Sequence, residues 1–217
     1  MRHDNVMKVL GVVLAGGQSS RMGEDKALLR LDGETLLEHA VRRLQGQLAS
    51  YGRNVVLSAP VRPAYDRAHV PVIADHADFC EAGPLAGIFS AMLYGRDHGF
   101  EVLATVAVDT PFFPPDYVAR MLDGYMPEQL VPVIAASKNR LHPAFAIWPV
   151  GLAEDLYEVL HKPGKKSIQA FAQSRQAKHR PFTSVLFDGD DPFFNINTQD
   201  DFARAQEIYQ KNREHSL

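Results

Sequence analysis

Short runs of β-branched residues alternate with longer segments of helical period along most of the chain, and this alternation constrains the fold more than any other feature. The repeated order of strand and helix predicts a three-layer α/β fold, with a mainly parallel sheet and helices on both faces. In such sheets, ligands bind beyond the carboxyl ends of the strands. We therefore expect functional side chains to follow the strands directly.

The predicted elements begin and end at recognisable signals. Thr35 can cap a helix, Pro84 suits a first helical position, and Thr198 with Asp201 approaches a capping box. The predicted helices begin after Thr35, at Pro84, near Pro115 (ending at Gly124) and at Thr198. The predicted strands are Val9 to Leu14, Val55 to Leu57, Val70 to Ile73, Val102 to Val108, Val131 to Ala135 and Pro143 to Ile147. The remaining stretch from Pro149 to Pro181 is interpreted as a loop.

Composition excludes several classes of protein. The length of 217 residues suits a single domain, which we assign to 1–217, and the single cysteine, Cys80, excludes an internal disulfide and a four-cysteine zinc site. A net charge of -3 without a basic stripe argues against a nucleic-acid partner. The short apolar run near the N-terminus is neither a signal peptide nor a membrane span. We therefore expect a cytoplasmic protein that binds no membrane.

A glycine-rich segment follows the first strand and has the chemistry of a phosphate site. Gly16 and Gly17 allow backbone N–H groups to approach phosphate closely, and Arg21 and Lys26 supply positive charge. The spacing matches neither the Walker A loop nor the dinucleotide fingerprint. A tight turn with two solvated basic residues is the alternative interpretation, and the two charges in one loop favour phosphate.

A carboxylate, Asp109, follows the apolar strand from Val102 to Val108. Mg²⁺ takes oxygen ligands and is often held by one or two carboxylates together with substrate phosphates. The alternative is that Asp109 caps the next helix, but Pro111, Pro114 and Pro115 delay that helix. We therefore predict that Asp109 is the metal ligand.

The ordered motifs resemble those of a known superfamily. The pattern L-A-G-G-x-x-x-R-M-G-x-D-K from Leu14 to Lys26 is similar to the signature of the nucleotidyltransferases with a Rossmann-like fold. The pairing of Gly16-Gly17 with Asp25-Lys26 looks most like the MobA-type molybdenum cofactor guanylyltransferases. The D-T-P, G-P-L-A-G, H-P and F-x-N-x-N-T motifs follow in the expected order, over about residues 9 to 205.

The resemblance implies a set of site residues. Arg21, Lys26 and Asp109 would carry catalysis, with Asp109 as the metal ligand. Ser58 departs from the asparagine that the family often carries at that position, and His142 is nearly as well explained as a buried histidine. The implied nucleotide contacts are Leu14, Ala15, Gly16, Gly17, Lys26, Ser58, Asp75, Gly83 and Asp109. The implied acceptor contacts are His142, Asn195 and Asn197.

The resemblance also implies an activity. GMP would pass from Mg²⁺-bound GTP to the phosphate of the molybdopterin cofactor, giving the guanine dinucleotide form and pyrophosphate. The N-terminal half would mainly bind the nucleotide and the C-terminal half the acceptor. A molybdoenzyme or a cofactor-insertion protein would fit as a transient partner. A cytidylyltransferase, another nucleotidyltransferase of small phosphorylated acceptors, and a non-catalytic nucleotide-binding carrier remain as alternatives.

Overall fold

The computed structural model describes residues 7–16, 25–80, 82–164, 166–183 and 191–214 of the 217. Within these ranges the chain forms a seven-stranded sheet, a separate two-stranded hairpin and six α-helices. The strands are β1 (Val9–Leu14), β2 (Arg30–Leu31), β3 (Glu34–Thr35), β4 (Val55–Ser58), β5 (Val72–Ile73), β6 (Val102–Ala107), β7 (Val133–Ser137), β8 (Arg140–Pro149) and β9 (Lys178–Pro181). The helices are α1 (Leu36–Gln47), α2 (Pro84–Asp97), α3 (Tyr117–Leu122), α4 (Ala153–His161), α5 (Ile168–Ser174) and α6 (Gln199–Glu214).

Four strands form a parallel half-sheet in the order β5-β4-β1-β6. Their register places Ile73, Ser58, Leu14 and Ala107 side by side at the carboxyl ends. Because neighbouring strands lie about 4.8 Å apart, this row is roughly 14 Å wide. The residues that follow these four strands therefore share one edge of the sheet.

The other half of the sheet is partly antiparallel. Strand β8 pairs antiparallel with both β6 and β7, whereas β9 pairs parallel with β7. A two-residue turn joins β7 to β8, and its residues Lys138 and Asn139 have φ values of 44° and 60°. Positive φ at both turn positions is typical of the tight turns that connect antiparallel strands. The prediction of a mainly parallel sheet is confirmed, with the two antiparallel pairings of β8 as the exception.

Helices cover both faces of the sheet, as predicted. Along β1, Val9 and Val13 pack into one hydrophobic cluster, which also holds buried residues of α1, α3 and α6. Leu10 and Val12 pack into a second cluster with residues of α2, α4 and α5. Because side chains alternate along a strand, β1 contributes to a separate hydrophobic core on each face of the sheet. Among the described helices, none is long and apolar enough to cross a lipid bilayer.

The predicted helix starts at Thr35, Pro84 and Thr198 are confirmed. The Thr35 hydroxyl accepts from the Glu38 backbone N–H at 3.1 Å, and the Glu38 carboxylate accepts from the Thr35 backbone N–H at 2.7 Å. Pro84 is the first residue of α2. Thr198 and Asp201 bond reciprocally in the same way, at 3.1 and 2.8 Å. These caps satisfy backbone groups that a helix terminus leaves without partners.

The helix expected between about Pro115 and Gly124 is shorter than predicted. It starts at Tyr117, whose backbone N–H bonds to the carbonyl of Pro114 at 3.1 Å. A proline disfavours helical backbone at the residue before it, so the run of prolines delays the start. At the other end, α3 stops at Leu122, and Gly124 lies in the following turn with φ of 64°.

The interpretation of Pro149 to Pro181 as a loop is wrong, because this stretch contains α4, α5 and β9. The two helices have only nine and seven residues, so their apolar period is short. Strand β9 reads Lys178-His179-Arg180-Pro181 and occupies the edge of the sheet, where polar residues are tolerated. A helix-capping signal was present at Ser167, whose hydroxyl accepts from the Ala170 backbone N–H.

The β2–β3 hairpin was also missed. Its turn is Asp32-Gly33, and both residues have positive φ, at 52° and 87°. Asp-Gly between two short runs is a strong signal for a two-residue hairpin turn. The hairpin delivers the chain to the Thr35 cap of α1.

We expect the substitution Thr35→Ala to lower the free energy of unfolding by about 1 kcal/mol, because it removes the acceptor for the Glu38 N–H. Thr35→Ser keeps the hydroxyl oxygen and should stay close to the wild type. Urea unfolding followed by circular dichroism measures both variants. Equal unfolding free energies for Thr35→Ala and the wild type would contradict the role of the cap.

Candidate functional site

The first turn of the site follows β1 at the centre of the row of strand ends. The backbone N–H of Ala15 bonds to the carbonyl of Ser58 at 3.0 Å, and the N–H of Val108 bonds to the carbonyl of Leu14 at 3.1 Å. These bonds connect the turn to the ends of β4 and β6, and Gly16 follows directly in the chain. Gly17 and Arg21, which we predicted to bind phosphate, lie outside the described residues.

Asp25 positions the predicted phosphate-binding lysine. Its carboxylate caps a single 3-10 turn, Lys26–Leu28, by accepting from the Ala27 N–H at 3.1 Å. The same carboxylate accepts from the Tyr65 hydroxyl at 2.6 Å and from Arg62 at 3.0 Å. The Asp25 carboxylate thus bonds to Ala27, Arg62 and Tyr65. We interpret its place in the D-K motif as a structural one, which fixes the turn that carries Lys26.

Lys26 joins three segments that are distant in sequence. Its Nζ donates to Asn197 Oδ1 at 2.7 Å and lies 3.8 Å from Asp109 Oδ2. The lysine follows β1, the carboxylate follows β6, and the amide precedes α6. The structure therefore brings together Lys26, Asp109 and Asn197, three residues that we had proposed separately from their motifs.

The tail segment is held in place by backbone bonds. The N–H of Ile196 bonds to the backbone carbonyl of Asp109 at 2.9 Å, and the Ile196 side chain is fully buried. The N–H of Asn197 donates to the Asp201 carboxylate at 2.9 Å. With Ile196 pointing into the core, Asn195 and Asn197 both line the same cavity, as their alternation in the sequence predicts.

The Asp109 carboxylate has capacity for a further positive charge. Burial raises its pKa, and the neighbouring Lys26 ammonium only partly opposes that shift. Among the described residues, the one side chain that donates a hydrogen bond to it is the Thr110 hydroxyl, at a long 3.5 Å. A half-buried carboxylate with unfilled acceptor positions fits a hard cation such as Mg²⁺. In the described residues no cluster of three metal-ligating side chains occurs, so substrate and water oxygens would supply the other ligands.

A second group of predicted residues lies where α2 approaches β4 and β5. Ser58 is only 2% exposed. A Cβ placed on Gly87 would come within 2.2 Å of Ser58 Oγ and 3.5 Å of Asp75 Oδ1. Glycine is therefore required at position 87 for this close approach. Burial raises the pKa of the Asp75 carboxyl.

Gly83 precedes α2 with φ of 66° and ψ of -151°, a backbone conformation that is almost restricted to glycine. Pro84 then starts the helix. The G-P-L-A-G motif thus has two glycines with distinct physical reasons: backbone conformation at Gly83 and close packing at Gly87.

A cavity of about 470 Å³ opens where β6 and β8 stop pairing. The pair at the end of this ladder is Thr105 with Ala146. The cavity is lined by Ala107, two residues after Thr105, and by Ala144, two residues before Ala146. Its wall combines aromatic and apolar residues with amide, imidazole and charged groups. The polar members are Thr110, Arg140, His142, Asp191, Asn195, Asn197 and Asp201. The three predicted acceptor contacts, His142, Asn195 and Asn197, therefore line the same cavity.

Two polar residues of this region were missed by the sequence analysis. Ser137 Oγ lies 2.7 Å from His142 Nε2 and 2.6 Å from Asp191 Oδ1. Ser137 ends β7, where a polar residue after an apolar strand gave a signal of the same kind as Asp109. Asp191 lies 54 residues from Ser137 in sequence, and no local pattern connects the two residues.

Comparison with known proteins identifies the family of the chain. A family model described as the MobA-like NTP transferase domain matches residues 11–179. A protein from Rhizobium leguminosarum bv. trifolii named molybdenum cofactor guanylyltransferase is 42% identical over 206 residues, covering 92% of each chain. A protein of the same name from Acidiphilium cryptum is 39% identical over 197 residues, covering 90% of this chain and 92% of its own.

The fold is shared with solved structures. The crystal structure of molybdopterin-guanine dinucleotide biosynthesis protein A from Archaeoglobus fulgidus superposes with a TM-score of 0.70 at 24% identity, covering 93% of this chain and 99% of that one. This likeness confirms the predicted Rossmann-like α/β fold. From the family match and the identities of its relatives, the chain belongs to the MobA-like NTP transferase domain family and is a nucleotidyltransferase.

Proposed function

We propose that this protein transfers GMP from Mg²⁺-bound GTP to the phosphate of the molybdopterin cofactor, giving the guanine dinucleotide cofactor and pyrophosphate. The observation that carries the proposal is the meeting of Lys26, Asp109 and Asn197 between the row of strand ends and the cavity. The names of the relatives support guanine as the base and the molybdenum cofactor as the acceptor.

The main obstacle to the reaction is repulsion between two anionic reactants. The Lys26 ammonium, held by Asn197 at 2.7 Å, would offset charge on the triphosphate and on the departing pyrophosphate. Arg21 would add a bidentate contact from the same loop. Because Lys26 is already bonded and oriented, little reorganisation is needed when the substrate arrives.

Asp109 would hold the Mg²⁺ ion, with phosphate and water oxygens as its other ligands. When bound, Mg²⁺ supplies charge neutralisation and orients the triphosphate. The burial that raises the pKa of Asp109 makes its charged form costly without a cation nearby. A single carboxylate therefore suits a metal that arrives with its nucleotide.

The proposed reaction requires no strong general base. A phosphate monoester has a second pKa of about 6, so its oxygens are largely ionised near neutral pH. The work of the protein is then to place the two phosphates in line.

Asp75, at the other end of the row, would accept from the N1–H and amino groups of guanine.

Pyrophosphate release with Mg²⁺ and molybdopterin-type cofactor, compared among GTP, ATP, CTP and UTP, tests the proposal directly. We expect release with GTP only. Release with CTP would instead place the protein in the cytidylyl branch of the superfamily. Nucleotide binding without release from any of the four would contradict the proposed reaction and favour a carrier.

We expect Lys26→Ala and Asp109→Asn each to lower kcat about 100-fold or more, because each removes a charge that stabilises the transition state. Asp109→Asn should also raise the Mg²⁺ concentration needed for half-maximal rate, whereas Lys26→Ala should not. Lys162→Ala and Asp97→Asn change exposed residues of the same types and serve as controls. Wild-type turnover in either site variant would remove that residue from the mechanism.

The packing of Gly87 on Ser58 gives a separate test of the nucleotide side. Gly87→Ala should lower the free energy of unfolding by about 1 to 3 kcal/mol and raise the KM for GTP, because Ser58 must move away from the new methyl group. Adding Ser58→Ala removes the clashing oxygen and should restore stability. If the double variant also recovers the KM for GTP, the Ser58 hydroxyl makes no needed nucleotide contact.

A further inference from the structure

Ser137, His142 and Asp191 form a hydrogen-bonded chain on the wall of the cavity. Ser137 Oγ contacts both His142 Nε2 and Asp191 Oδ1, at 2.7 and 2.6 Å. Asp191 Oδ1 also accepts from the backbone N–H of Phe193 at 2.9 Å, and the Phe193 ring stacks on the imidazole at 4.5 Å. The four groups therefore constrain one another in both position and orientation.

The direction of the protons in this chain follows from the donor inventory. An ionised carboxylate can only accept, so the single hydroxyl proton of Ser137 points to Asp191. The Ser137 oxygen must then accept from His142, which requires the proton of the imidazole to be on Nε2. A neutral imidazole with its proton on Nε2 carries a lone pair on Nδ1.

The resulting arrangement is different from a nucleophilic triad. In a triad the carboxylate bonds to the histidine, which in turn takes the serine proton. Here Asp191 Oδ2 is 3.9 Å from His142 Nε2, and the carboxylate bonds to the serine instead. Ser137 is 5% exposed and gives its proton to Asp191, so nothing activates its oxygen for attack.

The other ring nitrogen, Nδ1, belongs to a residue that lines the cavity. Among the described residues, no group bonds to His142 Nδ1, and the one buried side-chain nitrogen or oxygen without a partner is Arg175 Nε. Nδ1 is therefore accessible to solvent, and the residue lines the cavity. Burial lowers the pKa of His142; Asp191 opposes this shift and Arg140 adds to it, so the net direction favours the neutral ring.

We propose that Ser137 and Asp191 are positioning residues that hold His142 with Nδ1 as a hydrogen-bond acceptor for an N–H group on the ring of the acceptor substrate. This inference rests on the proposed function and names the orientation of its second substrate. The phosphate of the acceptor would lie toward Lys26 and Asn197, and its ring toward His142.

The chemistry of the wall supports this orientation. Phe193, Phe194 and Pro143 give the cavity apolar surfaces suited to a planar ring. A pterin carries a ring amide N–H and an amino group, both of which donate. Beside His142, an anionic phosphate would face the Nδ1 lone pair and the Asp191 carboxylate, which both repel negative charge, against the attraction of Arg140 on the same wall.

The tautomer can be measured without any activity. In protein labelled with ¹⁵N-histidine, we expect the His142 ring to show the Nε2-protonated pattern in the wild type and in Ser137→Thr, which keeps the hydroxyl. In Ser137→Ala, His142 should show a mixture of tautomers, because the hydroxyl that connects His142 to Asp191 is gone. Asp191→Ala, which removes the acceptor for the Ser137 hydroxyl proton, provides a second variant should Ser137→Ala fold poorly. An unchanged tautomer in both disrupting variants would overturn the proposed chain.

Recognition of the ring is tested by fluorescence titration with 6-hydroxymethylpterin and with its analogue methylated at the ring amide nitrogen. The wild type and Ser137→Thr should bind the unmethylated pterin about fivefold more tightly, and Ser137→Ala should lose that preference, as expected for one hydrogen bond. A preference that persists in Ser137→Ala despite a changed tautomer would overturn the role in recognition, as would an absence of preference in the wild type.

The two proposals fail in different ways. A Ser137-dependent pterin preference without pyrophosphate release from any nucleotide would support this inference and contradict the proposed function. Release with GTP, together with a pterin preference that does not depend on Ser137, would give the opposite result. In an active enzyme, Ser137→Ala should raise the KM for the acceptor about fivefold and leave the KM for GTP unchanged.

Discussion

Asp109 is the residue on which the rest of the site depends, because it bonds through both its backbone and its side chain. Its carbonyl accepts from Ile196 and positions the tail, while its carboxylate faces Lys26 from the first loop. The carboxylate is half-buried at the end of the central strand, where its charge is costly without a partner. The Lys26 ammonium partly offsets the negative charge of this carboxylate, and the proposed Mg²⁺ would offset the rest.

The change of strand direction at β6 separates the two halves of the site. On one side, four parallel strands end in a row that brings Leu14, Ser58 and Ala107 together. On the other side, the Lys138-Asn139 turn reverses the chain, so β8 runs antiparallel to β6 and departs from it after their last pair. That departure opens the cavity, so the proposed acceptor site lies next to the proposed nucleotide site in one continuous sheet.

The two sides also differ in electrostatics. The side at Lys26 and Asp109 carries opposite charges suited to phosphates and a cation. On the wall at His142, the Ser137–Asp191 pair leaves a neutral imidazole as a hydrogen-bond acceptor, a group suited to a neutral ring. Such a division would orient an elongated acceptor that has a phosphate at one end and a heterocycle at the other. Family membership establishes nucleotidyl transfer, and this division supports the choice of acceptor.

The sequence by itself determined the strand-helix alternation, the caps at Thr35 and Thr198, and the motifs that contain Lys26, Asp109 and Asn197, because each of these signals is local. The short elements between Pro149 and Pro181 were missed, since seven to nine residues carry too little periodicity. Only the tertiary structure decided that Lys26 meets Asn197 across 171 residues, and that Ser137 connects His142 to Asp191. Those contacts depend on how the strands are ordered in the sheet, and strand order is set by packing over the whole chain.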